Sequence, residues 1–139
     1  MDRQSMINLI VDRLPADQVD LQFLRTLLAR IVPPQVEAHF ITREVVEEDE
    51  AAPQQLLDMG LLSHDGIFVG CTIYKGRIRT ETIPSRRIVS LSKEFGQKFL
   101  DVAVGYEGGI SEEWHLRADK AEWDHLLTFA DALERAIKG

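Results

Sequence analysis

The stretch "IFVGCTIYKGRIRTETIPSRRI", Ile67–Ile88, decides the fold. Its first eight residues, through Tyr74, are mostly β-branched, aromatic or small, a composition that suits a pleated, buried strand. Lys75-Gly76 supplies a tight turn, and "RIRTETI" runs back as a second strand, so the segment predicts an antiparallel hairpin. Side chains alternate along a strand, which puts Arg77, Arg79 and Glu81 on one face and Ile78, Thr80 and Thr82 on the other. Pro84 ends the run and turns the chain.

Strands continue outward on both sides. Downstream, "RIVSLSKEF", "KFLDVAVGYE" and "EEWHLRA" are strand candidates, separated by Gly96 and by the "EGG" of Glu107–Gly109. Upstream, "VEAHFITREV" alternates, with Val36, Ala38, Phe40 and Thr42 facing one way and Glu37, His39, Ile41 and Arg43 mostly the other. Between them, "APQQLLDMG" suggests a helical turn or a loop, leaving a short extended segment at Leu61 and Leu62. The "SHDG" that follows carries an Asp-Gly turn signal.

Helices bracket this strand region. "RQSMINLIVDRL" places Met6, Ile7, Ile10 and Leu14 on one face until Pro15 stops it. Asp17 is positioned to cap a second helix, with Asp20 in its first turn. That helix carries the stripe Leu21, Leu24, Leu28 and Ile31, widened by Phe23 and Leu27, and "VPP" at Val32–Pro34 ends it. The stripe must be covered, either by the rest of this chain or by a second copy, which makes it the candidate dimer surface. At the other end, "ADKAEWDHLLTFADALERAIKG" opens with Asp119 and Glu122 in a capping-box arrangement. Trp123, Leu126, Leu127, Ala130, Leu133 and Ile137 then line one face. The fold class is therefore α+β: an N-terminal helical hairpin over residues 1–34, then an antiparallel sheet of about seven short strands capped by an amphipathic helix over residues 35–139.

That order, seven strands closed by one helix with a tryptophan near its start, resembles the pleckstrin-homology-like fold in its bacterial form. The carriers are "GLLSHDGIFVGCTIYKGRIRTETIPSRRIVSL" and "ADKAEWDHLLTFADALERAI", with the Ile83, Pro84, Ile88 rhythm similar to a strand-to-strand corner. The resemblance implies a bent sheet or barrel and a binding or assembly role. In lipid-binding members a basic loop joins the first two strands. Here the matching connection, after "HFITREVV", is itself the acidic "EEDEAA" stretch, part of a run in which five of the seven residues from Glu44 to Glu50 are acidic. The resemblance thus implies a protein or peptide ligand.

Charge gives the docking candidate. The chain of 139 residues has a formal charge of −7. From Lys75 to Lys98, however, there are seven basic and two acidic residues, a local +5 that leaves −12 for the remainder. Lys75, Arg77, Arg79, Arg86 and Arg87 form the candidate basic face. Arginines two residues apart on one strand face can share a carboxylate or phosphate. The alternative is an ordinary solvated strand face whose cations discourage edge-to-edge pairing.

Other chemistry is absent from the pattern. The four histidines lack metal-ligand spacing, the single Cys71 lies in an apolar run, and no Gly-rich phosphate loop is present. Ser63-His64-Asp65 cannot form a triad as sequence neighbours and reads as a turn. Trp114 alternates with Leu116 and is expected to face inward. No enzyme, metal, cofactor or secretory signal is expected, nucleic acid is disfavoured by net charge, and no run approaches the roughly 20 apolar residues a spanning helix needs. The default compartment is the cytoplasm. The rival reading is an acidic, dimeric secretion chaperone or antitoxin-like inhibitor, recognisable by a contiguous exposed apolar surface.

Overall fold

The computed structural model describes residues 1–14, 20–46, 54–74, 76–108 and 113–139. Two helices, α1 (Arg3–Arg13) and α2 (Leu21–Ile31), precede strands β1 (Val36–Val46), β2 (Gln54–Ser63), β3 (Ile67–Tyr74) and β4 (Arg77–Pro84). A single 3-10 turn, Ser85–Arg87, leads to β5 (Ile88–Phe95), β6 (Phe99–Tyr106) and β7 (Glu113–Asp119). A second 3-10 turn, Lys120–Glu122, leads to α3 (Trp123–Lys138). The strands make two antiparallel meanders, β1-β2-β3-β4 and β5-β6-β7, so the sheet expected from the sequence is split in two and is not a closed barrel.

Two apolar cores hold these layers together. The first lies between the sheets and under α3. It gathers Phe40, Leu62, Phe68 and Ile83 from the larger sheet, Val102, Val104, Trp114 and Leu116 from the smaller, and Leu126, Phe129 and Leu133 from α3. The second lies on the other face of the larger sheet, where α1 and α2 bring Met6, Ile7, Ile10, Leu24 and Leu28 onto Ile41, Leu57, Met59, Leu61, Val69, Cys71 and Ile73. The N-terminal hairpin therefore covers its own sheet, and β2 and β3 are buried on both faces.

This double burial corrects the reading of "APQQLLDMG". Its described part is not a turn or loop but the first residues of β2, paired with β1 from Thr42↔Asp58 to His39↔Leu61 and with β3 from Leu57↔Ile73 to Leu62↔Phe68. A strand apolar on both faces loses the period-2 signal. Gly60, the last residue of that stretch, is needed within the strand: a Cβ there would stand 2.9 Å from Leu116 Cδ1 and 3.1 Å from the Phe129 ring.

Two smaller corrections have local causes. The cap of α2 is Asp20, whose carboxylate accepts from the N–H groups of Gln22 and Phe23 at 2.9 and 3.1 Å; Asp17 lies outside the described residues. Val36 does not share a face with Ala38 and Phe40, because the register slips between Val36 and Ala38 and sends Val36 into the hairpin-side core. The Asp65-Gly66 turn and the Asp119 cap act as the sequence suggests, although Glu122 does not return the bond of a full capping box. Gly66, at φ 83°, closes the β2–β3 turn, and Ser63 Oγ donates to Asp65 at 2.6 Å while accepting from Ile67 N–H at 2.8 Å. Asp119 caps the approach to α3 by accepting from Glu122 N–H at 3.2 Å.

Candidate functional site

Strand β4 ends the larger sheet. It pairs with β3 from Ile67↔Pro84 to Tyr74↔Arg77, and no other described strand pairs with it. Arg77, Arg79 and Glu81 share the face turned toward the smaller sheet, since Ile83, next on that face, enters the core between the sheets. Arg77 and Arg79 are exposed. The Arg79 guanidinium lies over the ring of Trp114, 5.2 Å from its centroid, a cation–π arrangement that fixes a long side chain in one place. Trp114 is only 4% exposed, and its position depends on Gly70, where a Cβ would stand 2.5 Å from the indole. Thus β7 supplies an aromatic platform, β3 the space for it, and β4 the cations.

The five-residue basic cluster is divided. At about 3.3 Å per residue, roughly 17 Å of strand separates Arg79 from Pro84. Arg86 and Arg87 lie beyond it, exposed on the 3-10 turn, where the Arg87 carbonyl accepts from Glu107 N–H at 3.1 Å. Lys75 is outside the described residues.

The polar residue that sequence reasoning missed is Asp58. Strand pairing sets Thr42, Asp58, Thr72 and Arg79 in one row across the four strands. Asp58 is partly buried and accepts from the Thr72 hydroxyl at 3.1 Å. Burial pushes its carboxyl up to about 7, helped by the charge of Glu44 and opposed by the Thr72 hydrogen bond. The Trp114 indole N–H faces the same carboxyl and favours its ionised form without closing to a hydrogen bond. The signal available in the sequence was an acid inside "LLDMGLL", an apolar run with no lysine or arginine.

Elsewhere the ionisable groups are structural or superficial. His39 and His125 meet edge to face with ring centroids 5.7 Å apart, and burial, reinforced by His125, lowers the His39 pKa. On the outer face of the smaller sheet, His115 contacts Asp101 through Nδ1 and Glu113 through Nε2, each at 2.9 Å, and the Asp101 contact leads in raising its pKa. Among the described residues no group of three or more His, Cys, Asp or Glu side chains could hold a metal ion. Cys71 is buried and its thiol is pushed up to about 12. No described helix is long and apolar enough to cross a membrane.

The candidate dimer stripe is partitioned too. Leu24 and Leu28 are fully buried in their own chain and Ile31 packs partly against the same core, whereas Leu21 is 43% exposed and its neighbour Phe23 58%. Comparison with family models, with curated proteins and with solved structures found no match for this chain.

Proposed function

We propose that this chain is a non-catalytic binding or assembly module, built on a pleckstrin-homology-like plan, that docks an acidic segment of a partner protein on β4. The plan is supported by the order of elements: a four-strand meander, a three-strand meander and one closing helix. The docking reading rests on one observation, the Arg79 guanidinium held on the Trp114 ring beside exposed Arg77 on the terminal strand of its sheet. An arginine already ordered loses less conformational freedom when it engages a carboxylate. The negative remainder of the chain steers an acidic partner toward this region by disfavouring every other approach. A strand with no second neighbour among the described strands also offers backbone groups to an extended segment.

The test is charge reversal of Arg77 and Arg79 together. Binding of a fluorescein-labelled deca-glutamate peptide at low salt should fall at least tenfold while the thermal midpoint stays within a few degrees, because both side chains are exposed. A collapse of folding would make the arginines structural and end the docking reading.

A second reading has its own observation. Leu21 and Phe23, exposed together on the first turn of α2, suit self-association of the kind a dimeric secretion chaperone or antitoxin-like inhibitor uses. Light scattering at low and moderate salt decides it: a salt-insensitive dimer that Phe23→Ser dissociates supports this reading, and a monomer at both salts removes it.

A further inference from the structure

The docking reading leaves Asp58 unused, although Asp58 shares a row with Arg79. Every element around it contributes a neighbour. From β1 come Thr42, directly opposite, and Glu44, two residues further along the same face. From β3 comes the Thr72 hydroxyl at 3.1 Å, with Tyr74 beyond it on that face. From β4 come Arg79, paired with Thr72, then Arg77, paired with Tyr74, and on the other side of Arg79 the carboxylate of Glu81, paired with Gly70. From β7 comes the Trp114 indole N–H, and Cys71 lies on the opposite face of the sheet. The hydrogen-bond donors on the carboxyl, the Thr72 hydroxyl and the Met59 backbone N–H, are thus neutral, while the guanidinium of the same row rests on the Trp114 ring. Neighbouring strands are about 4.8 Å apart, so two strands put the Asp58 and Arg79 backbones about 10 Å apart, a gap that an extended arginine side chain spans.

We propose that Asp58 is a proton-operated gate on the β4 docking face: protonated, it leaves Arg79 on Trp114 and open to an acidic partner; ionised, it draws the guanidinium across Thr72 and weakens the partner's hold. The proposal rests on the docking reading given above. Burial and Glu44 set the Asp58 carboxyl near neutrality, where a modest change in acidity moves it between the two forms. Linkage makes the effect reciprocal: a carboxylate bound at Arg79 favours the protonated form of Asp58. The indole connects the two, because Trp114 has its N–H toward Asp58 and its face under Arg79.

Two measurements test the gate, and the second needs no partner. With the deca-glutamate peptide as probe, wild type should bind about four- to fifteenfold more weakly near pH 8 than near pH 6, the size expected for one charge about 10 Å away at an effective dielectric of about 20 to 40. Asp58→Asn should bind at the wild-type level near pH 6 and lose most of this pH dependence, keeping only what the histidines common to both proteins contribute. Parallel pH profiles in the two proteins overturn the gate while leaving docking intact. Loss of all Arg79-dependent binding removes the docking reading and the gate with it. Separately, carboxyl carbon NMR should find the Asp58 pKa higher in Arg79→Gln than in wild type, because the ionised form has lost its cation. An unchanged Asp58 pKa overturns the gate whatever the peptide does.

Discussion

Asp58→Asn should stabilise the protein, and by an amount that grows with pH. The wild-type carboxyl titrates near 3.8 in the unfolded chain and at about 7 in the folded one. Between those values the folded state binds more protons than the unfolded state, so stability falls as pH rises through the window and levels off above about 7. Each pKa unit is about 1.4 kcal/mol, which makes the full loss about 4 kcal/mol; solvent reaching a partly buried group reduces this, and we expect about 2–4 kcal/mol. Asparagine has no proton to lose, is nearly isosteric, and can still accept from the Thr72 hydroxyl. Urea unfolding of both proteins at several pH values between about 4 and 8.5 reads the difference directly, and titrations common to both cancel in the subtraction. The two should be nearly equal at the acid end, with the variant ahead by the stated amount at the alkaline end. A difference that is constant with pH, whatever its sign, would refute the reasoning, because it would mean that Asp58 has no raised folded-state pKa.

Gly70→Ala should cost about 2–3 kcal/mol by denaturant unfolding, since the added methyl meets the buried indole of Trp114 at 2.5 Å and one of them must move. A shifted Trp emission should accompany it, and a silent substitution would contradict the close approach. Leu28→Ala should destabilise by about 2–5 kcal/mol because it empties the core between α2 and the sheet, whereas Phe23→Ser should leave monomer stability within about 0.5 kcal/mol. Equal costs would mean that α2 is seated differently. The His115 pKa is raised in the folded state, so the stability its carboxylate contacts contribute is complete below its unfolded value near 6.5 and is lost as pH rises through the folded value. With His115 54% exposed, His115→Gln should differ from wild type by only a few tenths of a kcal/mol at the acid end and converge with it at alkaline pH.

What the sequence disclosed depended on how many faces each element buries. Helix α3 and strand β7 each keep one solvent face, so "EWHLRAD" alternates cleanly and Trp123–Lys138 shows a helical stripe. Strand β2 is covered by α1 and α2 on one side and by the smaller sheet on the other. Its apolar residues therefore follow no period, and Gly60 within it is required by Leu116 and Phe129. The site divided along the same line. The alternation of Arg77 and Arg79 is local and was legible. The contact of Arg79 with Trp114 joins residues of different sheets, and the row linking Asp58 to Thr72 and Arg79 exists only once three strands are in register. Likewise, the stripe on α2 was legible as apolar, but its division into buried Leu24 and Leu28 and exposed Leu21 and Phe23 is set by where the sheet lies.

The central claim is that an acidic segment docks on β4 beside Trp114. The most direct measurement is a titration of the isotopically labelled protein with the deca-glutamate peptide, followed by amide and indole N–H NMR shifts. With only two tryptophans in the chain, the indole signal of Trp114 is an assignable reporter. The account expects saturable shifts concentrated on Arg77–Glu81 and on the Trp114 indole, larger near pH 6 than near pH 8. Shifts confined to α2, or to the groove of about 340 Å³ between β5 and α3 lined by Val89, Leu91, Lys93 and Ile137, would contradict it, as would no shifts at all.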